Sequence, residues 1–339
     1  MIKVAVNGYG RIGQNVVRIM VERADNNIEL VGINGMASAE LALAKLKYDS
    51  IYGRFSGEAY VDGEYLVING KKVLITNARE PEDLPWKKLG ADIVIEGTGK
   101  YRTRERAQIH LDAGAKKVII TAPATDEDIT IVMGVNEKDY DDSSHNIISN
   151  ASCTTNCLAP FAKVLDDKFG IETGMMSTVH AYTNGQSLTD RTGDGKNPRR
   201  ARAAALNMIP TTTGAAQAVA KVLPQLEGKF RGVGIRVPTP TVSMVDLVAT
   251  TREAITVDAV NKALKEASEN ELKGILDYNE LPLVSSDYIG DSHSSIIDGL
   301  STLTLGDNMV KIFAWYDNEY GYSYRIVDLI EYIVENSNF

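Results

Sequence analysis

A short apolar run, Ile2 to Val6, leads into Gly8-Tyr9-Gly10-Arg11-Ile12-Gly13, after which Ile12, Val16, Ile19 and Met20 recur at helical spacing. A strand must therefore end in a turn tight enough to need glycine, with a helix starting at once behind it. The glycines permit the sharp turn and let the backbone approach a pyrophosphate, which then meets unpaired N–H groups at the helix N-terminus. A second strand, Ile28 to Ile33, follows at the distance a βαβ unit needs. Gly8, Gly10, Arg11, Ile12 and Gly13 are thus candidate cofactor-binding residues, and the chain is expected to bind a dinucleotide.

More βα signals follow: Val73 to Thr76, Ala91 to Glu96 ending in Gly97-Thr98-Gly99, Lys117 to Thr121, and Ile129 to Met133. Buried strands alternating with helices imply an α/β fold with a doubly wound parallel sheet, whose ligands sit at the carboxyl ends of the strands. Thr98, Gly99 and Thr121 are expected to line that cleft. The second strand ends Ile33-Asn34-Gly35-Met36, without the carboxylate that usually meets the adenosine ribose and repels a 2′-phosphate. Either Glu40 or a backbone group takes over and the cofactor is NAD, or Gly35 leaves room for NADP.

The chemistry centres on Ser149-Asn150-Ala151-Ser152-Cys153-Thr154-Thr155-Asn156-Cys157. The strand Asn146 to Ser149 gives way to a helix starting near Ser152 or Cys153 and continuing through Leu158, Phe161, Ala162 and Leu165. A cysteine in a first helical turn faces unpaired N–H groups and the positive end of the dipole, and both favour the nucleophilic thiolate. The surrounding hydroxyls suit a polar substrate better than a core. Cys157 reads as a small buried hydrophobe.

After that helix, Gly174 to His180 reads as a strand ending in histidine. Tyr182 to Arg202 has neither helical nor strand period and closes with Arg199-Arg200-Ala201-Arg202; a stretch this long without structure in a compact domain is usually functional. Thr211-Thr212-Thr213-Gly214 precedes a helix near Ala215, where hydroxyls and helix N–H groups suit an anion. Strands at Val233 to Thr239, Val242 to Thr250 and Val310 to Tyr316 give an α+β second domain on a mainly antiparallel sheet. The last helix carries Ile326, Leu329, Ile330 and Ile333 on one face. The expected division is a Rossmann domain over 1–152, completed by the C-terminal helix 318–339, and a catalytic domain over 153–317.

With 339 residues, 44% apolar content and a formal charge of −9, the chain is long enough for two domains and is an ordinary globular composition. Net negative charge argues against nucleic acid or an anionic membrane as partner, though a local basic pocket can still hold phosphate. Two cysteines four apart form neither a disulfide framework nor a zinc set, so no metal is expected. The first strand starts at the N-terminus with no signal-peptide pattern, and no apolar stretch is long enough to span a bilayer; a cytoplasmic protein is expected.

Taken together, the chain resembles the phosphorylating glyceraldehyde-3-phosphate dehydrogenases over essentially its whole length. The matching segments are Asn7 to Gly13, Lys47-Tyr-Asp-Ser50, Ser149 to Asn156, His180 with Thr183-Asn184, Arg199 to Arg202, Pro210 to Gly214, Arg236-Val-Pro-Thr239 and Trp315 to Gly321. The resemblance implies that Cys153 adds to the aldehyde of D-glyceraldehyde 3-phosphate, and that His180 serves as acid and base while 1,3-bisphosphoglycerate forms with NAD(P) reduction. It implies an inorganic-phosphate pocket of Ser152, Thr154, Thr213 and Gly214, and a substrate-phosphate pocket of Thr183 and Arg236 with Arg200 nearby. Asn318 would hold the nicotinamide carboxamide with Tyr322 close to the ring, Arg79 joins the cofactor contacts, and the assembly would be a homotetramer.

Three departures from the family pattern bear on the cofactor. Gly35 replaces the usual aspartate, Arg191-Thr192 replaces Leu-Pro in a loop two residues longer, and Gly185 replaces an acidic residue. Loss of a carboxylate with gain of an arginine and a hydroxyl favours a 2′-phosphate. Erythrose-4-phosphate dehydrogenase, a non-catalytic surface-binding role and a hydrolytic oxidation without phosphate are the competing readings.

Overall fold

The computed structural model describes residues 1–23, 27–192 and 197–339. They form two compact units, Met1–Ser152 with Ser323–Phe339, and Cys153–Tyr322.

The first unit is built on one sheet. Across it the strands run Ile129–Thr130, Ile147–Ser149, Lys117–Ile120, Ile93–Glu96, Ile2–Asn7, Ile28–Asn34, Lys71–Thr76, Tyr65–Ile68 and Ala59–Asp62. Neighbours from Ile129–Thr130 through Lys71–Thr76 are all parallel. Their side chains are buried on both faces, which is why they read as unbroken apolar runs. The last two strands form an antiparallel hairpin that extends the doubly wound parallel sheet and makes it mixed. Its turns are written Asp62-Gly63 and Asn69-Gly70, and Gly63, Asn69 and Gly70 all adopt positive φ as tight hairpin turns require.

Strand order reverses between Ile2–Asn7 and Ile93–Glu96, so the crevice that binds ligands in such sheets opens above these two strands. The helix Arg11–Glu22 starts there and is buried almost all round, from Gly13 to Met20. The closing helix Tyr320–Glu335 contributes Ile326, Leu329, Ile330 and Ile333 to the core of this unit, all fully buried. Arg23 fixes it from the first unit's side, donating to Asp328 and Glu331 at 2.6 Å each while its guanidinium lies over the Tyr324 ring.

The second unit has a sheet ordered Ile209–Thr212, Phe230–Val237, Ile171–Ala181, Ser243–Thr251, Met309–Tyr316, Ser295–Asp298 and Leu276–Asn279, with Leu303–Leu305 also on Met309–Tyr316. It is antiparallel except where Ile171–Ala181 meets Phe230–Val237 and where Leu276–Asn279 meets Ser295–Asp298. The helices Cys153–Phe169, Ala215–Val222 and Val257–Glu269 pack over one face. Along Ser243–Thr251 alternate residues are buried, the period-two pattern of a sheet covered on one side. The opposite face leaves Met175, Val233, Leu303 and Leu305 exposed. Among the described residues no helix is long and apolar enough to cross a membrane.

Candidate active site

Strand Ile147–Ser149 gives way to helix Cys153–Phe169 through Ala151, whose φ of 54° is a conformation that side-chain-bearing residues seldom adopt. Neighbouring bonds hold the strained turn: Asn150 N–H donates to Ile120 O at 3.0 Å and Ser149 Oγ to Ala122 O at 2.8 Å. Cys153 is thereby the first residue of a seventeen-residue helix.

His180 comes from the end of strand Ile171–Ala181, and its Nε2 lies 3.6 Å from Cys153 Sγ. Parallel register sets Arg236 directly opposite His180. Its Nη1 sits 2.7 Å from His180 Nδ1 and donates to Ala181 O at 2.9 Å, while Nδ1 is also 2.7 Å from Ala181 O. Burial, then the Arg236 charge, push the imidazole down to about 3, so it is neutral. Burial pushes the Cys153 thiol up, and the opposing pull of Arg236 and of local backbone N–H groups does not outweigh it. Desolvation thus works against the thiolate bias expected from the helix terminus. What stands is a thiol facing a neutral imidazole, the state in which Nε2 can take a proton.

Two supports escaped the sequence reading. Tyr316, buried at the end of strand Met309–Tyr316, places its hydroxyl 2.9 Å from both Thr154 Oγ1 and Thr178 Oγ1, with its ring edge-on to His180 at 6.0 Å. Ser243 accepts from Ala181 N–H at 3.0 Å and donates to Asn318 Oδ1 at 2.8 Å, linking the histidine strand to the candidate carboxamide holder. Tyr322 is buried four residues further on.

Of the candidate phosphate residues, Thr154 and Arg236 share this cluster. Ser152 precedes the cysteine and is half-buried, and Thr183 is exposed three residues beyond His180. Arg200 Nε donates to Thr211 Oγ1 at 3.0 Å, beside Thr213, whose hydroxyl accepts from Ala215 N–H, and Gly214, which starts helix Ala215–Val222. Arg191 and Thr192 are exposed, Arg191 N–H donating to Ala201 O at 3.0 Å. Residues 193–196 of the long loop lie outside the described residues. Cys157 is fully buried near Ser295.

In the first unit the fingerprint glycines each have a physical reason. A Cβ at Gly13 would lie 2.1 Å from Gly8 O, and one at Gly8 would lie 2.7 Å from Thr98 N, so both mark close approaches of backbone. A Cβ at Gly10 would meet no atom within 4 Å, and no side chain caps the helix that Gly10 precedes. Open space at the start of a helix fits a dinucleotide pyrophosphate. Arg11, by contrast, commits its guanidinium to Asp49 and lies over the Tyr52 ring. Gly35 has φ of 100°, while Gly99 has φ of 70° and nothing within 4 Å of its added Cβ. Thr121 donates to Glu96 O at 3.1 Å, Ile12 is half-buried and Arg79 is exposed. Among the described residues no group of His, Cys, Asp and Glu is placed to hold a metal ion.

Comparison with known proteins decides the family. Residues 2–104 match the glyceraldehyde 3-phosphate dehydrogenase NAD binding domain, and residues 152–318 match the C-terminal domain of the same enzymes. The chain belongs to the glyceraldehyde-3-phosphate dehydrogenase family. It is 58% identical over 332 residues to glyceraldehyde-3-phosphate dehydrogenase of Priestia megaterium, covering 98% of both chains. The protein of that name from Geobacillus stearothermophilus is likewise 58% identical over 98% of each chain. Glyceraldehyde-3-phosphate dehydrogenase 1 of Bacillus subtilis is 56% identical, again over 98% of each. As a member of this family the chain is an NAD(P)-dependent oxidoreductase.

Proposed function

We propose that the chain oxidises D-glyceraldehyde 3-phosphate with inorganic phosphate to 1,3-bisphosphoglycerate, the glycolytic reaction, run in either direction by metabolite levels. The observation that carries this reading is Cys153 Sγ at 3.6 Å from His180 Nε2, at the start of a helix and with Arg236 behind the imidazole.

Cys153 Sγ adds to the aldehyde carbon while its proton passes by way of Nε2 to the carbonyl oxygen, giving a thiohemiacetal. When bound, the nicotinamide supplies the hydride acceptor. Nε2 takes the hydroxyl proton as the carbon is oxidised to a thioester, and a neutral imidazole is the form that can do so. Phosphate oxygen then attacks the thioester carbon, the C–S bond breaks, and the proton on His180 returns to sulfur. Arg236, Thr183 and Arg200 offer guanidinium and hydroxyl donors to the substrate phosphate; Ser152, Thr154, Thr213 and Gly214 offer hydroxyls and N–H groups to the attacking one. Asn318 would hold the nicotinamide carboxamide, and Tyr322 would help to form the wall of its site.

The cofactor reading includes NADP, supported by Gly35 and by Arg191 and Thr192 in the long loop. Self-association into a homotetramer is supported by Met175, Val233, Leu303 and Leu305, apolar side chains exposed on the uncovered face of the second sheet. Two free cysteines fit a cytoplasmic setting. The relatives named above carry the triose name, which disfavours erythrose 4-phosphate as substrate. The test is the steady-state oxidation of glyceraldehyde 3-phosphate with NAD and with NADP, with phosphate present and removed. Activity that persists unchanged without phosphate or arsenate would replace this reading with a hydrolytic one, and activity only on erythrose 4-phosphate would replace the substrate.

A further inference from the structure

Strand Ser243–Thr251 starts from a turn that its own sequence resists. Val242, buried and β-branched, is held at φ of 66°, a region such side chains rarely adopt. Strain of this kind persists only where the surroundings over-determine it. Here hydroxyls on both sides of the valine are committed. Thr241 donates to Asp317 Oδ1 at 3.1 Å, and Ser243 donates to Asn318 Oδ1 at 2.8 Å. The antiparallel register that pairs Ser243 with Tyr316 brings the two stretches together. Asp317 also accepts from Gly290 N–H at 2.9 Å and from Glu319 and Tyr320 N–H at 3.0 Å each, so the backbone on either side of Asn318 is tied down.

The polarity of the Ser243 bond follows from its other partner. Ser243 is 1% exposed. Ala181 N–H, which can only donate, takes one lone pair of Oγ at 3.0 Å, and among the described residues the hydroxyl bonds nothing except Ala181 and Asn318. Its hydrogen therefore goes to Asn318 Oδ1. Were the amide turned over, Oγ would accept twice and a buried hydroxyl hydrogen would be left without an acceptor. Ala181 is fixed in turn, its carbonyl accepting from Arg236 Nη1 at 2.9 Å, one residue beyond His180. One hydroxyl thus joins the end of the histidine strand to Asn318, and the NH₂ of Asn318 is the group left to offer a ligand.

We infer that Ser243, aimed by the strained Val242 turn, is a positioning residue that locks the Asn318 amide with its NH₂ outward, so that the site reads a carbonyl oxygen on the cofactor's pyridine ring. The inference rests on the reading of Asn318 as the carboxamide holder. A carboxamide carries both a carbonyl and an NH₂ and can answer either end of a freely turning amide, whereas a locked amide admits one orientation alone. A ring bearing only a carbonyl tells the two cases apart.

The experiment is calorimetric titration of the full-length protein with NAD and with 3-acetylpyridine adenine dinucleotide, which keeps the carbonyl and lacks the NH₂, for the unmodified chain, Ser243→Ala, Asn318→Ala and the double variant, with thermal melting of each. Ser243→Ala is expected to weaken the acetyl analogue relative to NAD by roughly threefold, within what one hydrogen bond is worth, and to add nothing to that ratio in the Asn318→Ala background. A Ser243 that serves packing alone would lower the melting temperature and shift both ligands equally; that result overturns the lock, as does a change of ratio that survives in the double variant. Should Ser243→Ala not fold, Asn318→Asp keeps an acceptor for Ser243 and removes the outward donor. It is expected to move the ratio further in the same direction, and an unmoved ratio overturns the lock. Affinities for both ligands that stay unchanged in Asn318→Ala discard the carboxamide reading and the lock together, whereas a loss there with an unmoved ratio in Ser243→Ala discards the lock alone.

Discussion

Nη1 of Arg236 lies 2.7 Å from Nδ1 of His180, a closeness imposed by the parallel register that sets these residues opposite one another. Burial, and after it this guanidinium, bring the imidazole from its ordinary value near 6.5 down to about 3. Between those values the unfolded chain binds the proton and the folded chain does not, so this group's stability contribution is complete above about pH 6.5 and is lost as the pH falls towards 3. Arg236→Met removes the second cause. The folded imidazole then titrates higher, and acid destabilisation becomes shallower. Urea unfolding midpoints of both proteins from about pH 4 to 7 report this slope; equal slopes would show that the guanidinium has no part in it.

Tyr316 is the link between the cysteine helix and the sheet beneath it. Its buried hydroxyl bonds Thr154 and Thr178 at once, and Tyr316→Phe leaves two buried hydroxyls short of a partner. Such losses cost about 1–3 kcal/mol. A destabilisation of that size by urea titration is expected, together with slower alkylation of Cys153 because Thr154 in its first helical turn is released. Unchanged stability would mean that the two threonines satisfy one another without the tyrosine.

Signals carried by local chemistry could be read in the sequence, and those carried by register could not. Gly8 and Gly13 announce themselves because only glycine tolerates the approaches found there, and hydrophobic pattern alone locates the helix that Cys153 starts and the strand that His180 ends. The strands Ala59–Asp62 and Tyr65–Ile68 went unread, although Gly63 and the Asn69-Gly70 pair mark the turns on either side of the second of them. The bridge from Ala181 through Ser243 to Asn318 joins residues 62 and 75 positions apart, and no periodicity reports such a pairing. The direction of the Cys153 shift escaped for a different reason: a helix terminus is a local feature, whereas desolvation depends on everything packed around the sulfur.

The two cysteines separate chemistry from packing. Cys157 is fully buried, with Sγ 3.7 Å from Ser295 Oγ, and burial pushes its thiol far up, so it stays protonated. Cys157→Ala removes one buried sulfur and is expected to cost about 1–2 kcal/mol of stability with kcat unchanged. Cys153→Ser is expected to lower kcat by roughly a thousandfold or more while melting near the unmodified protein. Substantial dehydrogenase activity in Cys153→Ser would remove the covalent mechanism, and a large loss in Cys157→Ala would make that residue more than packing.

Gly35→Asp tests the cofactor edge, and the backbone makes it more than a swap of side chains. At φ of 100° a residue with a Cβ is strained, and that Cβ would stand 3.6 Å from Gly8 Cα and 3.7 Å from Gly8 N. The contacts themselves are ordinary; the cost lies in the dihedral, about 1–3 kcal/mol for a non-glycine residue held in a sparsely populated conformation. The new carboxylate adds repulsion towards a ribose 2′-phosphate and a hydrogen-bond acceptor for a free hydroxyl. We therefore expect Gly35→Asp to melt earlier, to weaken NADP by roughly tenfold or more, and to leave NAD binding near its original strength because strain and new acceptor oppose one another. Titration with both cofactors and a melting curve on one preparation measure the three effects together. Equal losses for both would show that the strained turn has simply deformed the Gly8 loop, and that the carboxylate is not what discriminates between the two cofactors at this position.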